Sequence, residues 1–330
     1  MPSPELGHLG GESQQKKESL LIQTVDNVIK EVLLQTTPLT VDRIRKKQGM
    51  TVRNVRREGE DPEGDIDLET EKSIGKALDQ LGQKYDISFQ VYSEHSNFTT
   101  GSRPPYYPVS IDPIENTDEL VKGLSDFYVT PWTVLAVYDY LDNAPIGAGA
   151  VNLAHPNDSF VVRDGRNYHH TIADLQSEGD VEFSPQPLVE DVRDPKLVIA
   201  TYRAKEKYDL EFIKYFSKLK QERDPLSTII STGGNYIYVP VALGLVHYVA
   251  PIEPYEEVFA GLPFLLAQGG EVRIVPSEGK SISIKTFRPE LLEERANLLL
   301  ASLSKNLLDQ LEKCYRDRRK ELKPHVEGNK

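Results

Sequence analysis

The segment Val109-Ser110-Ile111-Asp112-Pro113-Ile114-Glu115-Asn116-Thr117-Asp118-Glu119-Leu120 constrains this chain more than any other. The alternating apolar run that enters from Tyr107 reads as a strand with one face on a core. Pro113 is expected to stop it, because proline has no N–H to give to a ladder. Two acids three positions apart follow, Asp112 and Glu115, and Asn116 with Glu119 three residues on is a helix-capping pattern. A strand end rich in carboxylates offers oxygen donors to a hard cation, and the free N–H groups of a helix start hold an anion. The pattern therefore predicts a metal and a phosphate side by side. Read blandly, the same residues form an Asp-Pro turn and a helix cap with no ligand.

A chain of 330 residues with 38% hydrophobic content is long enough for two domains, placed at residues 1–190 and 191–330 across the acidic, proline-containing stretch Gly179–Pro195. The net charge of -12, from 51 acidic and 39 basic side chains, argues against nucleic acid as the main partner. A phosphorylated small molecule is still accessible to an acidic protein if metal ions supply the positive charge. Cys314 is the only cysteine, which excludes an intrachain disulfide and a multi-cysteine zinc site. Met1–Gln15 is polar, and no apolar run is long enough to span a bilayer, so a soluble cytoplasmic protein with no membrane partner is expected.

Helical spacing of apolar residues predicts a first helix over Glu18–Gln35, ended by Pro38, and a second that opens at Gly64–Glu71 and buries Ile74, Ala77, Leu78 and Leu81. Met50–Val55 reads as a strand, and so does Ile87–Glu94. Asn97–Tyr106 reads as a loop. An antiparallel meander is predicted over Trp132–Tyr140, Ile146–Leu153 and Ser159–Val162. The second half alternates strands at Leu197–Tyr202, Ser227–Ser231, Leu245–Val249, Glu271–Val275 and Ser281–Lys285 with helices. Those helices are predicted at Leu210–Leu219, from Gly233-Gly234 towards Leu243, at Tyr255–Ala267, and as one long terminal helix from Pro289 to Arg318. This is an α/β second part on an α+β first part.

Several ordered motifs now resemble one family. Asp112-Pro113-Ile114-Glu115-Asn116-Thr117 is similar to the Asp-Pro-Ile/Leu-Asp-Gly-Thr/Ser signature of the metal-dependent, lithium-sensitive sugar phosphatases, the inositol monophosphatase and fructose-1,6-bisphosphatase superfamily. Tyr92-Ser93-Glu94 stands at the family's upstream Gly/Ser-Glu element, and Thr70-Glu71 at its Thr-Asp. Ser231-Thr232-Gly233-Gly234, Val241-Ala242-Leu243-Gly244, Glu256-Glu257 and Ala267-Gln268-Gly269-Gly270 follow in the family's order. The resemblance spans about Glu18 to Lys285 and implies a layered α/β/α/β/α sugar-phosphatase fold with two subdomains.

The resemblance also implies a mechanism, position by position. Glu94, Asp112, the carbonyl of Ile114, Glu115 and Glu257 would bind two or three Mg²⁺, with Mn²⁺ an option, and Glu71 would serve the most weakly held ion. The phosphate would rest on the N–H groups of Asn116 and Thr117. A metal-activated water, positioned by Glu94 and by a contact of Thr117 with Glu71, would attack phosphorus in line. Thr232, Gly233 and Gly234 would face the substrate, with specificity set between Thr232 and Asn235. A small phosphorylated sugar, cyclitol or nucleotide is the implied substrate, and a homo-oligomer, dimer or tetramer, the implied assembly.

Three departures qualify the match: Glu rather than Asp at 71 and 115, and Asn116 in place of glycine. The extra methylene of Glu moves a carboxylate by about 1 Å, and a displacement of that size can cost on the order of 10²-fold in rate. The competing reading is a catalytically weak or silent member that acts as a binding or regulatory protein. Elsewhere, adjacent His169 and His170 in a strand face opposite ways and share no metal. His95, next to Glu94, is close enough in sequence to approach the site but reads first as a surface-loop histidine, and Arg103 reads either as a contact to a substrate phosphate or as a solvated loop arginine.

Overall fold

The computed structural model describes residues 9–48, 65–93, 95–115, 130–171, 181–186, 189–194, 196–201, 229–231, 234–251, 256–276, 278–291 and 298–327. The predicted strand Met50–Val55, the helix Leu210–Leu219 and the helix start at Asn116–Glu119 lie outside them. Two sheets and three helical layers alternate. The first sheet contains β1 (Ser88–Ser93), β2 (Asn97–Thr100), β3 (Tyr106–Glu115), β4 (Trp132–Tyr138), β5 (Pro145–Asn152), β6 (Ser159–Arg163), β7 (Arg166–His170) and β8 (Val181–Glu182). Its order is β2-β1-β3-β4-β5-β6-β7-β8, antiparallel except where β1 and β3 run together. The second contains β9 (Ile199–Thr201), β10 (Ile229–Ser231), β11 (His247–Pro251), β12 (Glu271–Ile274), β13 (Ile282–Ile284) and β14 (Leu298–Ser302), in the order β10-β9-β11-β14-β12-β13.

Strand periodicity assigns each side chain to a layer. Leu135 and Val137 of β4 pack under helices α1 (Leu9–Arg45) and α2 (Asp65–Tyr85), against Val25, Ile29, Leu33, Ile74 and Leu78. Val134, Ala136 and Tyr138 of the same strand point the other way. They meet the short helices α3 (Tyr238–Ala242), α4 (Glu256–Phe259) and α5 (Leu262–Leu266), and through them Tyr248, Ala250, Leu299 and Ala301 of the second sheet. Val249, Leu298 and Leu300 face outward again, under Leu307, Leu308, Leu311 and Tyr315 of α6 (Lys305–Glu327). The result is the α/β/α/β/α layering. Its central core draws residues from both halves of the chain.

Five expectations change. Pro38 does not end the first helix, because tertiary contacts outweigh its missing hydrogen bond: Val41 packs with Ile66, and Thr40 meets the Thr70 hydroxyl at 3.3 Å. Asn97–Tyr106 is not all loop, since Asn97–Thr100 pairs with β1. The helix expected over Tyr255–Ala267 is broken into α4 and α5 at Gly261, where a side chain would stand 2.1 Å from the Asn235 carbonyl. Leu298–Ser302 is a central strand rather than part of a helix from Pro289. A short apolar run fits either element, and the true helix start is marked by Ser304, whose hydroxyl accepts the Leu307 N–H at 3.2 Å. Finally, β3 does not stop at Pro113 but continues to Glu115.

Candidate metal centre

The proline that fails to end β3 bends it instead. Asp112 pairs with Val134 and Glu115 with Trp132, so β3 holds one residue more than β4 between those positions, a β-bulge at Pro113-Ile114. Proline is tolerated in a bulge because its missing N–H costs no ladder bond there. The Thr133 hydroxyl donates to the Pro113 carbonyl at 2.8 Å and pins the bulge. In an unbroken strand, residues three apart face opposite sides. The extra residue restores both acids to the same side, while Ile114 packs outward with Val41, Ile66 and Leu153.

Asp112 and Glu115 are both buried, and their carboxyls lie within hydrogen-bonding reach of one another, a contact that calls for a proton or a cation between them. Burial pushes the Asp112 carboxyl above its ordinary value, against the opposing effects of Glu115, Asn235, the nearby His95 and the Ile114 N–H. Across the layer boundary, the turn before α3 closes over this pair. The Asn235 N–H donates to Glu115 Oε2 at 2.5 Å, and its Nδ2 donates to Asp112 Oδ2 at 3.4 Å. Asn235 Oδ1 accepts the Ala260 N–H at 3.0 Å, which fixes the amide orientation. Gly234 has φ 90°, and a Cβ there would lie 1.8 Å from Glu115 Oε1, so the backbone approaches the carboxylate as only glycine allows. Trp132, opposite Glu115 in the sheet, stacks on Tyr236 at 5.8 Å and walls one side.

Of the expected site residues, the structure thus joins Asp112, Glu115 and Gly234, with the bulge at Ile114 between the acids. Glu71 is buried in α2 and accepts hydrogen bonds from the hydroxyls of Ser93, at 2.5 Å, and Ser96. Among the described residues, no three His, Cys, Asp or Glu gather as a metal-ligand set. Glu94, Asn116, Thr117, Thr232 and Gly233 lie outside the described residues, as does the side chain of Glu257 in α4. One expectation needs correction: His95 is buried near Asp112 rather than a surface histidine. Arg103 forms an exposed ion pair with Asp86 at 2.6 Å, in keeping with the solvated loop arginine. His169 and His170 do face opposite ways, His170 buried and His169 paired with Asp158 at 3.6 Å.

Sequence reasoning reaches Asn235 only as the end of the specificity segment from Thr232, and its place after two glycines is the signal for its bridging role. The donor chemistry suits a hard divalent cation: carboxylate oxygens, withdrawn from water and pressed together, whose like charge a cation would neutralise.

By sequence, neither a family model nor a curated protein matches the chain. Solved structures do. The Thermotoga maritima IMPase superposes with a TM-score of 0.58 at 17% identity, covering 90% of this chain and 97% of that one. The fold is that of the inositol monophosphatases. An IMPase/NADP phosphatase complexed with NADP and Ca²⁺ gives a TM-score of 0.60 at 14% identity, covering 89% and 95% of the two chains. An inositol monophosphate-bound SaIMPase-II gives 0.55 at 14%, covering 93% and 97%. The inositol monophosphatase fold therefore accounts for nearly the whole chain. Among the described residues, no helix is long and apolar enough to cross a membrane.

Proposed function

We propose that the chain is a Mg²⁺-dependent phosphomonoesterase for a small phosphorylated sugar, cyclitol or nucleotide, acting in the cytoplasm as a dimer or tetramer. One observation carries this reading: a β-bulge turns Asp112 and Glu115 to the same buried side, where Asn235 ties both to the second half of the chain. A structural ion pair would oppose unlike charges, whereas here two acids are held together. The similar structures seat inositol monophosphate in one case and NADP with Ca²⁺ in another, both phosphate esters.

Asp112 and Glu115 would hold the cation, with Glu94, Glu257 and the Ile114 carbonyl as the further ligands expected from the sequence. Bound there, Mg²⁺ supplies charge for the phosphate and lowers the pKa of water. The chain's own groups prepare the place. The Asn235 N–H holds the Glu115 carboxylate through Oε2, and the bulge fixes the Asp112 direction. Hydrolysis breaks the ester P–O bond, places the oxygen of water on phosphorus, and returns a proton to the leaving alcohol.

Calorimetric titration with Mg²⁺, run beside phosphate release from a panel of sugar phosphates, inositol phosphates and nucleotides, tests the proposal. Metal binding with turnover is expected. Binding without turnover would favour the regulatory reading, and neither would overturn both. Light scattering checks the assembly.

A further inference from the structure

We propose that the cleft between the β12–β13 hairpin and α6 is a second anion site, built for a small molecule that carries a chain of phosphates. The cleft lies on the outer face of the second sheet, with a volume of about 650 Å³, a ligand-sized space. Val272, Ile274 and Ile284 of the hairpin point inward to the central core, so their neighbours point outward, where Arg273 stands directly opposite Ser283. Over β11 and β14 this outer face is apolar and covered by α6. Over the hairpin it turns polar and is left open.

Charge is distributed unevenly inside the cleft. Arg273 is buried and donates to Glu271 at 3.0 Å, Asp309 at 2.6 Å and Glu312 at 3.3 Å. Arg316 donates to Glu312 at 2.8 Å and to the Ser281 hydroxyl at 3.0 Å. Both guanidiniums are therefore matched. Lys280, Lys285 and Lys305 line the same space, are exposed, and have no ion-pair partner among the described residues. In a protein of net charge -12, three ammonium groups around one concavity, against a single surplus carboxylate among the acids that meet the two arginines, make a local field opposed to that of the whole.

The placement of the lysines indicates the ligand class. Lys280 and Lys285 flank β13 at its two ends, and Lys305 stands across the cleft at the start of α6. One phosphate cannot meet three ammonium groups spread around the rim. Linked phosphates can, with the exposed Ser283 hydroxyl as a further donor from the floor. Lysines also guard edge strands against pairing with other chains, and β13 is an edge. That role covers Lys280 and Lys285 but leaves Lys305, on the helix, without a reason.

The test uses the full chain with chelator present, so that no divalent cation occupies the Asp112 site. Titration with inorganic tripolyphosphate should show saturable binding that weakens as ionic strength rises. The triple variant Lys280→Gln/Lys285→Gln/Lys305→Gln should bind at least about 10-fold more weakly, and Asp112→Asn should bind within about 2-fold of the parent. Sulfate at matched ionic strength should bind at least about 10-fold more weakly than tripolyphosphate. Unchanged thermal unfolding of the triple variant confirms that its loss is local. The proposal is overturned by absence of saturable binding, by undiminished binding in the triple variant, by equal affinity for sulfate, or by loss of binding in Asp112→Asn.

Discussion

Two places in this molecule take charge out of water, and they do it in opposite ways. At Arg273, with a side chain 8% exposed, a single cation is met by three carboxylates, and every component has its partner inside the chain. At Asp112 and Glu115, two like charges are pressed together with an amide and a histidine for company. The first arrangement is self-sufficient and stabilising in its surroundings. The second brings two carboxyls into contact, and burying both as charges costs several kcal/mol unless a proton or cation lies between them. Like groups held together in this way mark a binding site, and compensation marks a structural one.

Four substitutions sharpen or break that contrast. The largest effect is expected from Asp112→Asn, which should abolish the Mg²⁺ titration heat and lower phosphate release by more than about 100-fold, a coordinating carboxylate being lost. It should also change the pH dependence of the metal-free protein. Burial raises the Asp112 pKa, so the fold binds that proton more tightly than the unfolded chain does. Its contribution is favourable at low pH and is lost as pH rises from the ordinary carboxylate range through the raised value. Denaturant melts across this range should show the decline in the parent and a flatter profile in Asp112→Asn. A steeper decline in the variant would break the comparison.

Next comes Gly234→Ala, whose methyl group would meet the Glu115 carboxylate at a positive φ. It should cost roughly 3 kcal/mol in chemical denaturation and lower activity on the order of 10²-fold by displacing Glu115. Arg273→Met tests the other member of the pair. It leaves Glu271 and Asp309 without their cation, while Glu312 keeps Arg316, and should cost about 2–3 kcal/mol, with Mg²⁺ binding unaffected. Ser304→Ala, which removes the α6 cap and touches neither centre, should cost about 1 kcal/mol by the same measurement, with no dependence on pH between 6 and 8.

The two regions also differed in how far they could be read from sequence. The acids at 112 and 115, the helix carrying Ile74, Ala77, Leu78 and Leu81, and the β4–β5–β6 meander all follow from local pattern, and the structure keeps them. What local pattern misread was set by distant partners. Pro38 and Pro113 are breakers by propensity, and contacts from α2 and from Thr133 carry the elements through them. Leu298–Ser302 has no alternation to betray a strand, because both of its faces are buried in cores. His95 sits in a polar loop sequence, and only the fold reveals that the loop turns inward.

The bulge at Pro113-Ile114 has a consequence for how this site can change. Which side of a sheet a residue occupies is a matter of odd or even count, so shortening β3 by one residue there would exile one acid among the oily helices while leaving its partner behind. Length, more than residue identity, is then the variable to which this centre is least forgiving: a substitution adjusts it by degrees, whereas a one-codon deletion inverts it.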